Sequence, residues 1–294
     1  MKNNSKISLV VGLFPQRYQI ADLRLNKPVC HQKIEDGKIT GSMLLQNLQT
    51  ALIDGGKEIT YFCPNNIALL LSVSSKSLAE AKRLYTDFLN SLSIDFQLEK
   101  IEGDKKAFLN KVSKTICDYI EYIQTSVVFA YTALETFANL SIPYGYKYQT
   151  RNESKGIAEI YGKEEIERWL SLKIKLQYIL RKIYDTEKLE NQKWWGHFSN
   201  LERFRNEIIH QKTINTTDFY KEYFKGTIFQ VCEIPIPIIQ FFYEAHAEHN
   251  RTNPIWPWLV NAKNYFPVET EYDSKDFEVV GNLYEGIKKR PASF

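Results

Sequence analysis

Hydrophobic and polar positions change rhythm near residue 100. Before it, short apolar runs rich in β-branched residues alternate with turn signals. ISLVVGLF (7–14), YQIADLRL (18–25), EITYFCP (58–64) and IALLLSVS (67–74) predict strands. Pro-Asn-Asn (64–66) between the last two fits a short connection between antiparallel strands. Residues 77–92 place Leu78, Ala81, Leu84, Phe88 and Leu92 on one stripe and predict a helix, with Ser77 as a possible cap. The first part of the chain therefore reads as a small mixed α/β module, residues 1–102, without a Gly-rich phosphate loop.

From residue 104 the period becomes helical. A very long helix is expected from about Lys105 to Ser141, stopped by Pro143, with Leu109, Val112, Ile116, Ile120, Ile123, Val127, Leu134 and Phe137 along its stripe. At 1.5 Å per residue it exceeds roughly 50 Å, so a bend or break is expected. Residues 141–162 read as an irregular loop. A second helix spans 163–185, with Trp169, Leu172, Leu176, Ile179 and Ile183 on one face. LERFRNEIIHQKTI (201–214) predicts a third, burying Leu201, Phe204 and Ile208. Helical pattern resumes at 217–225 and at 237–249, and the tail beyond gives weak signals. The fold class is α+β, mainly α: the N-terminal module, then a helical domain over 103–294 with a C-terminal extension.

Composition narrows the function classes. Apolar residues make up 44% and charged residues 25%, which supports a normal core and disfavours disorder. A net charge of +3 gives no global case for nucleic-acid binding, so any such binding needs a local patch. Cys30, Cys63, Cys117 and Cys232 form no CxxC pair, which argues against a zinc site and a disulfide framework. His246 and His249 are three apart, but no further ligand context supports a metal, and none is expected. MKNNSKISLVVGLF loosely resembles a signal peptide. Its apolar run is short, lacks a small-residue cleavage site and leads into predicted strand. No stretch approaches a membrane span. A cytoplasmic, reduced protein with no membrane contact is expected.

Two features of the helical part carry chemistry. From Tyr122 to Tyr146 the only formal charge is Glu135, which shares a helix face with Val128 and Tyr131. A carboxylate there needs a cation, unless that face meets solvent. In the third helix, Asn206 and His210 lie four apart on the accessible side, with Arg203 on the same edge. Arg205 lies nearer the apolar flank, where it too seeks an anion, and Glu135 is the obvious partner. The plain alternative is that Asn206 and His210 decorate a solvated helix.

These residues resemble the HEPN superfamily over roughly residues 105 to 225. The resemblance rests on ALETFANLSIP in the long helix, then KEEIERWLSLKIKLQYIL, then WGHFSNLERFRNEIIHQK. RNEIIH, Arg205 to His210, matches the commonest family motif, R-N-x3-H, in full; Arg203 satisfies a longer spacing. The resemblance implies a helical bundle that dimerises, bringing two motifs into one cleft. It further implies a metal-independent endoribonuclease without cofactor, in phage defence or a toxin–antitoxin system, with RNA as substrate and an antitoxin or defence protein as a possible partner. Such cleavage uses the 2′-hydroxyl as nucleophile. His210 would then do acid–base work, Arg205 would bind phosphate, Asn206 would orient, and Glu135 would support. If Glu135 ties up Arg205, Arg203 could meet the phosphate instead. The family also includes non-catalytic dimerisation and RNA- or nucleotide-binding modules, which is the other reading. Some toxins of the family carry a tyrosine two positions after the histidine; here that position is Lys212.

Arg168, Lys175 and Lys182 recur every seven residues in a stretch without acids, and could line up against RNA phosphates or form an ordinary solvated edge. Trp194 and Trp195 either stack bases or pack against the third helix. His197 has no assigned role.

Overall fold

The N-terminal strands are organised by one long strand. In the computed structural model, which describes residues 7–13, 22–25, 28–36, 38–90, 96–152, 157–210, 218–248, 268–269, 278–282 and 286–287, β1 (Ile7–Leu13) and β2 (Pro28–Glu35) flank the first half of β3 (Lys38–Ile53), both antiparallel. The β2–β3 turn pairs Glu35 with Lys38 across Asp36-Gly37, and Asp36 adopts a left-handed φ of 51°. The second half of β3 pairs with β4 (Lys57–Phe62) as a hairpin. Gly55 and Gly56 sit at φ 87° and 76° in its turn, a conformation that penalises any Cβ. Of YQIADLRL, Leu23–Leu25 form a 3-10 turn rather than strand, with the Asp22 side chain accepting from the Arg24 backbone N–H at 2.9 Å; residues 18–21 lie outside the described residues.

IALLLSVS is not a strand. It forms the first turns of α1 (Asn66–Phe88), whose start is set by Asn65: its Oδ1 accepts the Ala68 N–H at 3.2 Å. Ser77 is therefore interior to the helix, not its cap. α2 (Lys105–Ser141) runs for 37 residues, about 55 Å, without a break. The Asp104 carboxylate caps it, accepting from the backbone of Lys106 and Ala107, and the chain leaves helical geometry at Ile142 before Pro143.

Residues 141–162 are not wholly irregular, since β5 (Tyr148–Asn152) and β6 (Ile157–Tyr161) pair antiparallel within them. The expected second helix is broken. α3 (Lys163–Trp169) ends at Leu170, and Ser171 caps a new start at α4 (Leu172–Ile174). A π-helical stretch follows at Lys175–Leu180, then α5 (Arg181–Tyr184), closed by Asp185 at positive φ. α6 (Trp195–Ile209) comes next, then a 3-10 segment at Asp218–Phe224, α7 (Thr227–Glu233) and α8 (Pro235–Glu248). Short strands β7 (Val268–Glu269), β8 (Glu278–Asn282) and β9 (Gly286–Ile287) return to the first sheet, giving the order β7-β2-β3-β1-β8-β9 with β4 on β3. The chain is thus mainly helical with a smaller β part.

Two compact units result: residues 1–68 with 240–294, and residues 69–239. The division does not fall at 102/103. α1 packs with the helical unit, and the C-terminal strands complete the N-terminal sheet. In the helical unit α2 is the central element. Tyr119, Ile123, Val127, Ala130, Ala133, Leu134, Phe137 and Ala138 are fully buried, which explains why the stretch around them carries almost no charge. Each large side chain so buried contributes about 1.5–3 kcal/mol. Ser74 of α1 and Ser126 of α2 let the two helices approach closely, with Ser74 Oγ 3.0 Å from both the Ser126 carbonyl oxygen and its Oγ.

Candidate functional site

The R-N-x3-H motif occupies the last turn of α6. Phe198, Leu201 and Phe204 bury one face of that helix, and Ile208 is half-buried beside them. The helix does not continue through 214. It ends at Ile209, and His210 is its C-terminal cap, its backbone N–H donating to the Asn206 carbonyl at 2.9 Å. Residues 211–217 lie outside the described residues.

The last turn brings the three motif side chains together. Arg205 Nη1 donates to Asn206 Oδ1 at 3.1 Å and lies 3.3 Å from His210 Nε2. A guanidinium has only donors, so in this contact Nε2 takes the acceptor side. Asn206 thus holds the cluster twice: its carbonyl fixes the His210 backbone and its side chain fixes Arg205. Asn206 and His210 are exposed and Arg205 is half-buried. The Arg205 guanidinium also lies over the Tyr131 ring of α2, 5.0 Å from its centroid. A cation stacked on one side and bonded on another loses little freedom when it grips an anion.

Arg205 does not pair with Glu135. The cation that meets Glu135 is Lys175, whose Nζ lies 3.8 Å from Oε1. Lys175 is fully buried and lies within hydrogen-bond reach of two other acceptors, Asn139 Oδ1 at 2.9 Å and the Glu167 carbonyl at 3.0 Å. Burial holds its pKa below the ordinary lysine value, against the opposing pull of Glu135 and Glu167. Lys163 converges on the same end of α2, donating to the Asn139 and Ile142 carbonyls.

The basic stripe does not exist as one edge. Lys175 is interior, while Arg168 and Lys182 are exposed but sit on α3 and α5, separated by the break at Leu170 and the π-helical stretch. Arg203 is occupied as well. It spans Glu222 at 2.9 and 2.8 Å and Glu207 at 3.3 Å, tying the 218–224 segment to α6 and holding the Glu222 carboxyl below its usual pKa. That leaves Arg205, not Arg203, as the arginine of the site.

Glu202, one turn before Arg205, was not apparent from the motif. It is half-buried, and its carboxyl pKa is raised by that burial, with Lys173 and Arg205 pulling the other way. Its signal in the sequence is the i,i+3 spacing to Arg205. Trp195 opens α6 and packs on Phe198, ring centroids 4.7 Å apart, in keeping with a packing role.

Compared with protein families, characterised proteins and solved structures, the chain matches none. The site therefore rests on its own geometry. Among the described residues no group of three or more His, Cys, Asp or Glu is placed to hold a metal ion, and no helix is long and apolar enough to cross a membrane. The His246 side chain and His249 lie outside what is described.

Proposed function

We propose that the helical part is a HEPN-like bundle and that the chain is a metal-independent endoribonuclease acting through Arg205, Asn206 and His210. The observation that carries the reading is the guanidinium of Arg205 held between the Asn206 carboxamide at 3.1 Å and the His210 imidazole at 3.3 Å on the exposed end of α6. RNA cleavage without metal needs a base to take the 2′-hydroxyl proton, an acid to protonate the departing 5′-oxygen, and positive charge at the phosphate. A neutral imidazole supplies the base. Arg205 supplies the charge, and on binding phosphate it releases His210 Nε2 to accept the proton. A second copy of His210 across a homodimer, in its protonated form, supplies the acid and ends neutral as the first copy ends protonated, and the product is a 2′,3′-cyclic phosphate. Glu135 acts at a distance, as part of the Lys175 network behind Tyr131. The resemblance places such an activity in phage defence or a toxin–antitoxin pair.

The test is incubation of the protein with tRNA and single-stranded RNA in excess EDTA, beside His210→Ala. Loss of a general acid–base group lowers the rate by about 10²–10⁴-fold, and the wild-type ends should be cyclic phosphates. Equal cleavage by both proteins refutes the assignment. RNA binding without cleavage by either moves the chain to the non-catalytic RNA-binding class.

A further inference from the structure

The helical unit has a second place with ligand-binding chemistry, at the other end of α6. A recess of about 620 Å³ opens between α1, the start of α6 and the α7–α8 junction. That volume lies within the range of small-ligand sites. His197, in its lining, precedes His210 by 13 residues of one helix, about 20 Å. The recess is therefore separate from the motif cluster and independent of the nuclease reading.

Its lining is mostly apolar, from Leu78, Ile234 and Pro237, with Trp194 adding purine-sized aromatic surface. Its Lys and Glu form one ion pair, Lys82 of α1 with Glu233 of α7, both about half exposed, and Ser75, His197 and Gln230 also line it. The pair keeps spare capacity. An ammonium has three protons and bonds one of them here, and a carboxylate offers about four acceptor sites. An acceptor with two oxygens beside a donor is complementary to a planar edge presenting two N–H groups beside a carbonyl. Guanine has that edge: N1–H and N2–H to the carboxylate, O6 to the ammonium. Adenine and cytosine present one amino group beside a ring nitrogen and satisfy the carboxylate once.

The geometry points to a guanine-binding site in this recess, with Glu233 and Lys82 reading the base edge and Trp194 covering its face. The base could arrive as a free nucleotide or within a single-stranded RNA. The chemistry is the same, and the two sources differ only in affinity for the longer molecule.

The test is calorimetric titration of the full chain with GMP, IMP, AMP and CMP, and with a 2′-O-methylated tetranucleotide containing one guanine. GMP is expected to bind at least tenfold more tightly than AMP or CMP. IMP, which lacks the 2-amino group, should fall between them. Glu233→Gln should lose at least tenfold in GMP affinity, and Lys82→Met a similar amount, each with an unchanged melting temperature. His210→Ala should bind GMP as wild type does, which separates this site from the proposed reaction. A much tighter tetranucleotide assigns the base to RNA, and equal affinity assigns it to a free nucleotide. Absence of saturable GMP binding, equal AMP affinity, or unaltered binding by folded Glu233→Gln overturns the proposal.

Discussion

Replacing Lys175 with methionine retains most of the side-chain stem and removes the ammonium. In the wild type that ammonium makes two hydrogen bonds, to Asn139 Oδ1 and the Glu167 carbonyl, while Glu135 stands beyond hydrogen-bond range at 3.8 Å. Hydrogen bonds to a charged group contribute about 1.5–3 kcal/mol each, so the two together contribute roughly 3–6 kcal/mol. Against this, removing the ammonium relieves a burial cost of several kcal/mol. The balance expected for Lys175→Met is a loss of about 2 kcal/mol, less than for breaking a sealed ion pair, because Glu135 is 35% exposed and water can take over its charge. Glu135→Gln is expected to cost under about 1 kcal/mol for the same reason. Urea unfolding at pH 7, followed by tryptophan fluorescence, measures both. A neutral or stabilising Lys175→Met, or a Glu135→Gln as costly as it, would refute the view that hydrogen bonds rather than the ion pair hold this lysine. The pH dependence adds a sign. Because burial lowers the folded pKa, the unfolded chain binds this proton more readily. Wild-type stability should therefore gain from this group as pH rises from the folded pKa toward about 10.4. Lys175→Met should lack that gain.

Arg203→Ala should cost about 1 kcal/mol, since its partners are partly solvated. Glu222 has a depressed pKa, so the pair's contribution is complete above the ordinary carboxyl value and fades as pH falls through the depressed one; acid titration of Arg203→Ala should lack that component. Tyr119→Phe removes a buried hydroxyl that donates to the Tyr223 carbonyl at 2.6 Å, and should cost about 1–2 kcal/mol by thermal or chemical unfolding.

The long helix was legible because 37 residues repeat one apolar stripe, and repetition at that length leaves a single period. IALLLSVS was not, because eight mostly apolar residues fit a buried strand or a buried helix equally well. What decides is Asn65, whose cap precedes the run. The β2–β3 pairing was missed although Asp36-Gly37 carries a hairpin signal, since the flanking strands have little alternation. Lys175 was misplaced for a geometric reason: a break in the helix at Leu170 and a π-helical stretch turn it inward, and a uniform 100° wheel cannot show either. The helix that carries Arg205 and Asn206 was legible, but the partner of Glu135 was not. Arg205 satisfied the charge argument, and only the fold shows that Lys175 is nearer.

That His210 caps α6 has a consequence for when the site exists. The last turn of a helix frays at far lower free energy than global unfolding, because its backbone bonds are few and solvated. The His210-to-Asn206 bond is one of these. Opening it separates imidazole from guanidinium while the buried core at Phe198, Leu201 and Phe204 stays intact. The Arg205–His210 contact is therefore set by a local equilibrium at one helix end. Whatever docks on that end and suppresses fraying raises the fraction of molecules that make the contact without altering a single side chain.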